Sequence, residues 1–451
     1  MSPTARHCLR ARTVALPDPW PLEAFLTPSD SMAFLRRGEG VVGLGTLVRV
    51  DVDTPDEADA RWSELVRDLD HTSELPNTFG VGPIAFGSFA FDPGHTAGSS
   101  VLLVPRVVLG RRKGVAWCTW LGLGEDLSGA ALPQPQPAPV DHGHVEWRDG
   151  SMSPDAWQEL VASAVARIAA EGSDVEKVVL ARDLVARAER PIDPRTVLAR
   201  LQQTYPTTWT YLVDGLVGAT PEMLVRREGG LATSRVLAGT IRRQGASAED
   251  AEALARALSS SSKDLREHAY AATSVAEAMA PFCSGMNVPD APWVLELPNV
   301  LHLATDITGV AKPGASSLKL AGALHPSAAV CGTPTDVARS LIAEIEGMDR
   351  GRYAGPVGWM DADGNGEWAL ALRGGRLDPE DAHELRVFAG CGIVADSDPA
   401  SELAETRAPS RANASPRLVP PPVRAASLGP SGPQAGVASP GITWSCCRRL
   451  Q

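Results

Sequence analysis

Two pairs of acidic residues, far apart in the chain, share one spacing. Asp264 and Glu267 follow a run of serines, and Glu402 and Glu405 follow Asp398-Pro399, a dipeptide typical of a helix N-cap and first helical residue. Side chains three residues apart leave the same side of a helix, so each pair presents its carboxylates together. Carboxylates without suitably spaced histidines favour Mg²⁺. The spacing therefore predicts a magnesium site formed by two helices.

Helix capping explains part of this pattern more simply. Ser261 and Asp264 match a capping box, which accounts for Asp264 without any metal. Glu267 remains unexplained, because it lies farther into the helix. A di-iron site would need Glu-x-x-His, whereas His268 directly follows Glu267.

Lys177 and Glu222 are candidates for proton transfer. Lys177 begins a segment in which a strand would place it on one face with Val179 and Ala181. A lysine on a partly apolar face has its charged form disfavoured and can act as a base. Glu222 lies in a tight turn before an apolar segment, where burial would raise its pKa and suit a general acid. Taken alone, an edge-strand lysine and a solvated turn glutamate are the simpler explanations.

Arg373, Tyr353 and a Gly-x-Gly segment could recognise an acidic ligand. Arg373 follows the apolar run 368–372, a position that suits bidentate contact with a carboxylate, and Tyr353 would add a hydroxyl donor from a glycine-rich loop. Gly390 and Gly392 lack the Cβ that would keep a ligand away from the backbone. A solvated strand end and a packed loop tyrosine explain Arg373 and Tyr353 equally well.

The segment 361–367, Asp-Ala-Asp-Gly-Asn-Gly-Glu, begins like a calcium-binding loop. Its twelfth position is Leu372, where a bidentate glutamate is required. Asp-Gly-Asn-Gly between two strand-like segments predicts a hairpin turn instead.

Strands and helices must alternate to position these residues. The patterns predict helices at 54–69, from Ser153 to about 171 and within 248–279, and strands at 40–45, 81–87, 101–105, 177–185, 210–213, 223–227, 300–310, 357–360 and 366–372. The Pro-rich stretch 132–139 marks a boundary. We therefore predict an α/β (α+β) protein with a β-rich part at 1–146 and a second part at 147–407.

Bulk properties limit the possible partners. A chain of 451 residues exceeds the usual size of one core, so two lobes or one large composite domain are expected. The net charge of −12 argues against nucleic acid, and no apolar run is long enough to span a bilayer. Prolines within 17–21 interrupt any signal-peptide core, and the seven cysteines show no CxxC spacing. We expect a cytoplasmic protein without nucleic-acid or membrane partners.

The last part of the chain has a different composition. Pro, Ser, Ala, Arg and Gly dominate residues 408–443, with hardly an apolar anchor. Such a segment cannot bury enough surface to offset the entropy of ordering. We predict that 408–451 is a disordered and non-native tail, which a frameshift or a decayed terminus would produce.

The order of several motifs along the chain resembles that of the chorismate-utilising enzymes, and most closely the isochorismate synthases among them. The resemblance covers about 150 to 406. The motifs are Lys177-Val-Val-Leu-Ala-Arg, Ala219-Thr-Pro-Glu222, Leu237-Ala-Gly-Thr240, Lys263-Asp-Leu-Arg-Glu-His268, His302-Leu-x-Thr305, Leu324-His-Pro326, Gly332-Thr-Pro334, Arg350-Gly-x-Tyr-Ala-Gly-Pro-Val-Gly358, Leu372-Arg373 and Gly390-x-Gly-Ile-Val394.

This resemblance implies a single composite domain, a large and deeply twisted antiparallel β-sandwich with outer helices and a site in a cleft. It implies Mg²⁺-dependent isomerisation of chorismate to isochorismate by a monomer. Lys177 would activate water to attack C2, and Glu222 would protonate the departing C4 hydroxyl. Relatives that deliver ammonia lack a lysine base at this position.

The resemblance also assigns ligands. Glu267 and Glu405 would hold Mg²⁺ directly, with Asp264 and Glu402 in the water-mediated shell. The substrate would contact the remaining site residues, which are Gly239, Thr240, His302, Thr333, Tyr353, Arg373, Gly390 and Gly392.

One departure from the family pattern concerns the C-terminal helix. The family continues Glu-Thr-x-x-Lys, whereas Glu405-Thr406 is followed here by Arg407, Ala408 and Pro409. Two alternatives therefore stay open: a salicylate synthase that also eliminates pyruvate, and a catalytically impaired chorismate-binding paralogue. The pathway served, menaquinone or siderophore biosynthesis, also stays open.

Overall fold

The computed structural model describes residues 8–17, 21–242, 248–296 and 300–406. The predictions for the tail at 408–451 lie outside these residues. Within the described part, 21 strands and eight α-helices alternate. The strands are β1 (Leu9–Leu16), β2 (Ser31–Arg36), β3 (Glu39–Val52), β4 (Asp70–Ser73), β5 (Ile84–Ser88), β6 (Ser100–Arg112), β7 (Val115–Leu123), β8 (Val145–Asp149), β9 (Lys177–Ala188), β10 (Trp209–Val213), β11 (Leu216–Thr220), β12 (Met223–Glu228), β13 (Leu231–Arg242), β14 (Cys283–Asn287), β15 (Trp293–Glu296), β16 (Val300–Ala311), β17 (Gly332–Thr333), β18 (Pro356–Asp361), β19 (Gly366–Leu370), β20 (Gly374–Leu377) and β21 (Glu384–Ile393).

The helices are α1 (Pro55–Leu65), α2 (Pro154–Ala169), α3 (Pro194–Thr204), α4 (Ala248–Ser260), α5 (Ser262–Met279), α6 (Ser317–Ala323), α7 (Thr335–Ile345) and α8 (Pro399–Thr406). Local sequence sets several of their starts. Thr54, Ser153 and Asp193 each accept a backbone N–H of the first turn, and proline follows each of them. The predicted helix starts at Ser153 and Asp398 are confirmed. No helix in the described ranges combines the length and apolarity that crossing a membrane requires.

The strands form one branched sheet around β6. From one edge of β6 a first arm runs through β3, β2, β10, β11, β20, β21 and β9, with β8 and β17 on the far edge of β9. From the other edge a second arm runs through β5, β18, β19, β12, β13 and β16, which also pairs with β14 and β15. β7, β1 and β4 continue from β6, and among the described pairings only that of β1 with β4 is parallel.

Three strands of the first arm, β2, β10 and β11, are buried on both faces. Tyr211 packs into a core shared with the second arm, and the next residue, Leu212, packs into a core covered by α3. β2, from the predicted N-terminal part, lies between β3 and β10, so both predicted parts contribute to one sheet. The mixed α/β class and the large antiparallel sheet are as predicted.

The sequence analysis missed β1 and β7. Their registers place Leu9 to Leu16 against Leu123 to Ala116. That pairing joins segments about a hundred residues apart, and no local turn signal indicates it.

Candidate active site

The chain crosses between the two arms at two adjacent points. β11 of the first arm leads through Thr220–Glu222 into β12 of the second arm, and β19 of the second arm leads through 371–373 into β20 of the first. The Leu370 amide donates to the Glu222 carbonyl over 3.1 Å, and the Ala219 amide donates to the Arg373 carbonyl over 3.2 Å. The two crossings therefore form one bent ribbon, which carries Glu222 and Arg373 at its bend.

A cavity of about 1250 Å³ lies between the arms at this bend. It is lined by most of the residues that the sequence analysis selected, namely Lys177, Glu222, Gly239, Asp264, Glu267, His302, Thr333, Tyr353, Arg373, Gly390 and Gly392. Segments separated by more than two hundred residues therefore meet at one site.

Lys177 stands at the start of β9, opposite Thr333 on one edge and one residue before the ladder with β21. Its Nζ lies 3.1 Å from the Glu267 Oε1. A Cβ at Gly392 would lie 2.9 Å from the Lys177 Cε, so glycine leaves room for the lysine side chain. The strand and its neighbours thus direct an amine into the cavity.

Glu222 is held as an acid by its surroundings. Burial raises the pKa of its carboxyl to about 7, although the positive charges of Arg373 and Lys177 oppose the shift. At neutral pH a large fraction of this carboxyl keeps its proton. A base on one arm and a proton donor at the bend are what general acid–base catalysis requires.

Arg373 and Tyr353 both line the cavity. Arg373 has a φ of 49°, a left-handed conformation that side-chain-bearing residues rarely adopt. Burial lowers its pKa, and its guanidinium lies 5.9 Å from the Tyr205 ring. Tyr353 is 6% exposed and stacks on Phe388 with the ring centroids 4.9 Å apart. A guanidinium and a hydroxyl can both donate hydrogen bonds to a carboxylate.

The opposite wall is formed by β13, β16 and α5. Gly239 has a φ of +74° at an irregularity of the β13–β16 ladder, where a Cβ would lie 3.1 Å from the Asp264 Cβ. Burial, and then the charge of Arg373, lower the pKa of His302 to about 4, so its imidazole is neutral. Thr240 lies in β13, but its side chain is outside the described part.

The acidic residues of α5 reach the cavity. Asp264 and Glu267 both line it, while Ser261 caps the helix by accepting the Asp264 amide over 3.3 Å. Asp264 therefore takes part in the helix cap through its amide and also lines the cavity. His268 faces away and is buried, with hydrogen bonds to the Ala238 carbonyl at 3.1 Å and to the Thr305 hydroxyl at 2.7 Å.

The second acidic pair is only partly described. The Glu402 carboxylate contacts the buried thiol of Cys391, whose pKa is raised by burial and by the Glu402 charge. Glu402 is not among the described residues that line the cavity, and the side chain of Glu405 is outside the described part. In the described ranges no cluster of three or more histidine, cysteine or acidic side chains could hold a metal.

The sequence analysis missed Tyr205 and Arg266, which also line the cavity. Tyr205 ends α3 beneath the Arg373 guanidinium, and Arg266 is flanked by the acidic residues of α5. The sequence around Tyr205 and Arg266 does not indicate a functional role, because a tyrosine after a helix and an arginine within a helix are both common.

Comparisons with known proteins agree with this geometry. The family described as chorismate binding enzyme matches residues 22–410. The chain is 35% identical to the isochorismate synthase MenF of Bacillus subtilis over 72% of this chain and 73% of that protein. It is 38% identical to the isochorismate synthase DhbC of the same organism, over 61% and 72%.

Among solved structures, the menaquinone-specific isochorismate synthase MenF of Escherichia coli superposes with a TM-score of 0.73 at 25% identity. The match covers 88% of this chain and 92% of that one. A family match over most of the chain and a shared architecture lead to one conclusion: the chain belongs to the chorismate-binding enzyme family.

Proposed function

We propose that this chain is an isochorismate synthase that exchanges the C4 hydroxyl of chorismate for a hydroxyl at C2. One observation carries the proposal: Lys177 and Glu222 meet in a single cavity, where the carboxyl keeps its proton near neutral pH. The relatives named isochorismate synthase support the same activity.

Two proton transfers complete the reaction. Lys177 takes a proton from water as its oxygen bonds to C2, the ring double bonds shift, and the C4–O bond breaks. Glu222 gives its proton to the departing hydroxyl, which leaves as water. Arg373 and Tyr353 hold the enolpyruvyl carboxylate, because both line the cavity and both can donate hydrogen bonds to it.

Two carboxylates of α5, those of Asp264 and Glu267, line the cavity, and oxygen ligands of this kind suit Mg²⁺. Glu267 and Glu405 would hold the ion directly, with Asp264 and Glu402 in the water-mediated shell. When bound, the ion neutralises the ring carboxylate of the substrate.

The test is product analysis with purified protein, chorismate and Mg²⁺ in ¹⁸O-labelled water. The expected product is isochorismate with one labelled oxygen at C2 and no pyruvate, and EDTA should stop its formation. Pyruvate and salicylate would indicate a salicylate synthase, since elimination would follow the same first step. Unchanged chorismate beside an active relative would contradict the proposal and favour a catalytically impaired paralogue.

A further inference from the structure

A gap in the strand pairing of β9 lies directly behind the candidate base. On the edge away from β21, β17 pairs with β9 at Lys177 and Val178, and β8 pairs with it only from Leu184 onward. Between them, no strand in the described part of the chain pairs with β9 on this edge. Buried backbone groups of the sheet nevertheless need partners.

A buried ion pair fills this gap. The Ala181 amide donates to the Glu346 Oε2 over 2.8 Å, and the Arg350 Nη2 donates to the Val179 carbonyl over 2.7 Å. The Val179 amide donates to the Cys331 carbonyl, just before β17, over 2.8 Å. The ion pair therefore supplies the next hydrogen-bond partners along this edge of β9.

The two side chains of the pair are also bonded to each other and are buried. Arg350 donates to Glu346 at 2.7 and 2.6 Å, and the two side chains are 4% and 1% exposed. The third nitrogen of the guanidinium, Nη1, donates to the Val330 carbonyl over 3.0 Å. The guanidinium carbon lies 4.1 Å from the centre of the Phe91 ring. A guanidinium can serve two carboxylate oxygens and two carbonyls at once, whereas an ammonium cannot match that fork.

The same arginine also takes part in the turn that presents Tyr353 to the cavity. The Tyr353 amide donates to the Arg350 backbone carbonyl over 3.0 Å. Arg350 therefore contacts the strand of Lys177 through its side chain and the turn of Tyr353 through its backbone, so the position of its side chain links the two.

We propose that Glu346 and Arg350 are positioning residues: their ion pair replaces a missing strand along β9 and sets the distance between Lys177 and Tyr353. This inference deepens the proposed function and rests on it. A pair that contributed only stability could be weakened without changing turnover by the folded enzyme.

The test in the intact protein is hydrogen exchange. Because a side chain acts as a strand, the Ala181 amide should exchange as slowly as that of Val179, which has a backbone acceptor. Exchange of Ala181 at the rate of a surface amide would overturn the proposal. This measurement needs no turnover, so it separates failure of this inference from failure of the proposed function.

The kinetic test compares Arg350→Lys and Glu346→Gln with a control pair on the same strands. Arg386 and Asp183 join β21 to β9 at 2.6 Å, with Asp183 1% exposed and neither among the cavity-lining residues. We expect each positioning variant to lower kcat about 10- to 100-fold with little change in KM, because small displacements of reacting groups have effects of that order.

Arg386→Lys and Asp183→Asn should lower the unfolding temperature comparably and leave kcat within about twofold of wild type. Equal kcat losses in both pairs, or normal kcat in folded Arg350→Lys and Glu346→Gln, would overturn the proposal. If one positioning variant does not fold, the other and the exchange rate of Ala181 still decide the matter.

Discussion

In the wall formed by β9 and β21, Lys177 stands at the start of a strand that pairs with β17 on one edge and with β21 on the other. In the opposite wall, Glu267 stands on the exposed face of a helix. Lys177 is 25% exposed and Glu267 is 42% exposed, although the two are paired at 3.1 Å. The ladder of β9 with β21 runs over ten residue pairs, whereas α5 packs on the sheet through buried side chains that include Ala272 and Met279.

This difference matches the chemistry that we propose for each wall. A proton-transfer group must be held within a fraction of an ångström of its target, and a strand in a continuous sheet provides that rigidity. Carboxylates that bind Mg²⁺ must stay hydrated and adjust to the ion, and a helix face open to water allows this. The comparison predicts that changes to the strand wall act on turnover and changes to the helix wall act on metal affinity.

Lys177→Ala should have the largest effect. Loss of a general base lowers kcat by about 10² to 10⁴-fold, and the unfolding temperature should hardly change because the side chain is partly exposed. The measurement is isochorismate formation at saturating chorismate. Lys312→Ala is the control, since Lys312 contacts the Ala280 and Pro281 carbonyls outside the cavity. Turnover by Lys177→Ala close to that of the control would contradict the role.

Glu222→Gln should lower kcat by about 10²-fold or more and abolish a fall in wild-type kcat as the pH rises through about 7, where the acid loses its proton. Glu367→Gln is the control, because burial also raises the pKa of Glu367 but its side chain does not line this cavity. If Glu367→Gln abolishes the fall in kcat, or if Glu222→Gln retains it, the proton donor is not Glu222.

The pH dependence of the free energy of unfolding should give independent evidence for the raised pKa of Glu222. The pKa of Glu222 is raised from 4.5 to about 7 on folding, so between these values the folded state binds more protons than the unfolded state. The free energy of unfolding attributable to Glu222 therefore falls as the pH rises through this window. Glu222→Gln should be more stable than wild type near pH 8 and no more stable near pH 4, by chemical denaturation.

Glu267→Gln should act on the metal instead. Replacing a charged ligand by a neutral one should weaken Mg²⁺ binding about tenfold, with kcat largely restored at high Mg²⁺. Glu277→Gln, on the exposed surface of the same helix, is the matched control. Identical magnesium titrations of the two variants would show that the acidic pair of α5 is only a capped, solvated helix face.

Two glycine substitutions should show the smallest effects and divide along the same line. In Gly392→Ala the new Cβ meets the flexible Lys177 Cε, so kcat should fall about threefold without loss of stability. In Gly239→Ala the positive φ is strained, which should cost about 1 kcal/mol of unfolding free energy. Thermal unfolding and kcat are measured on both variants. Equal losses of kcat and of stability in the two variants would show that the walls do not differ.

Short-range chemistry was readable from the sequence. Ser153-Pro154 and Asp398-Pro399 start helices because an N-cap needs only its own side chain and the next turn. The hairpin at 361–366 formed as expected, with the Asp361 amide donating to the Asn365 carbonyl at 2.8 Å. The order of motifs also identified the family, because each motif lies within a few residues of chain.

Only the tertiary structure decided how these pieces meet. That Glu222 and Arg373 share a bend follows from pairings between segments some 150 residues apart, and the pKa of Glu222 depends on the burial that this bend creates. The role of the Glu346–Arg350 pair cannot be predicted from the sequence, because it depends on a gap in the strand pairing of β9. Local preferences act within a turn of helix or a hairpin, whereas burial and strand pairing depend on contacts that exist only after the whole sheet has closed.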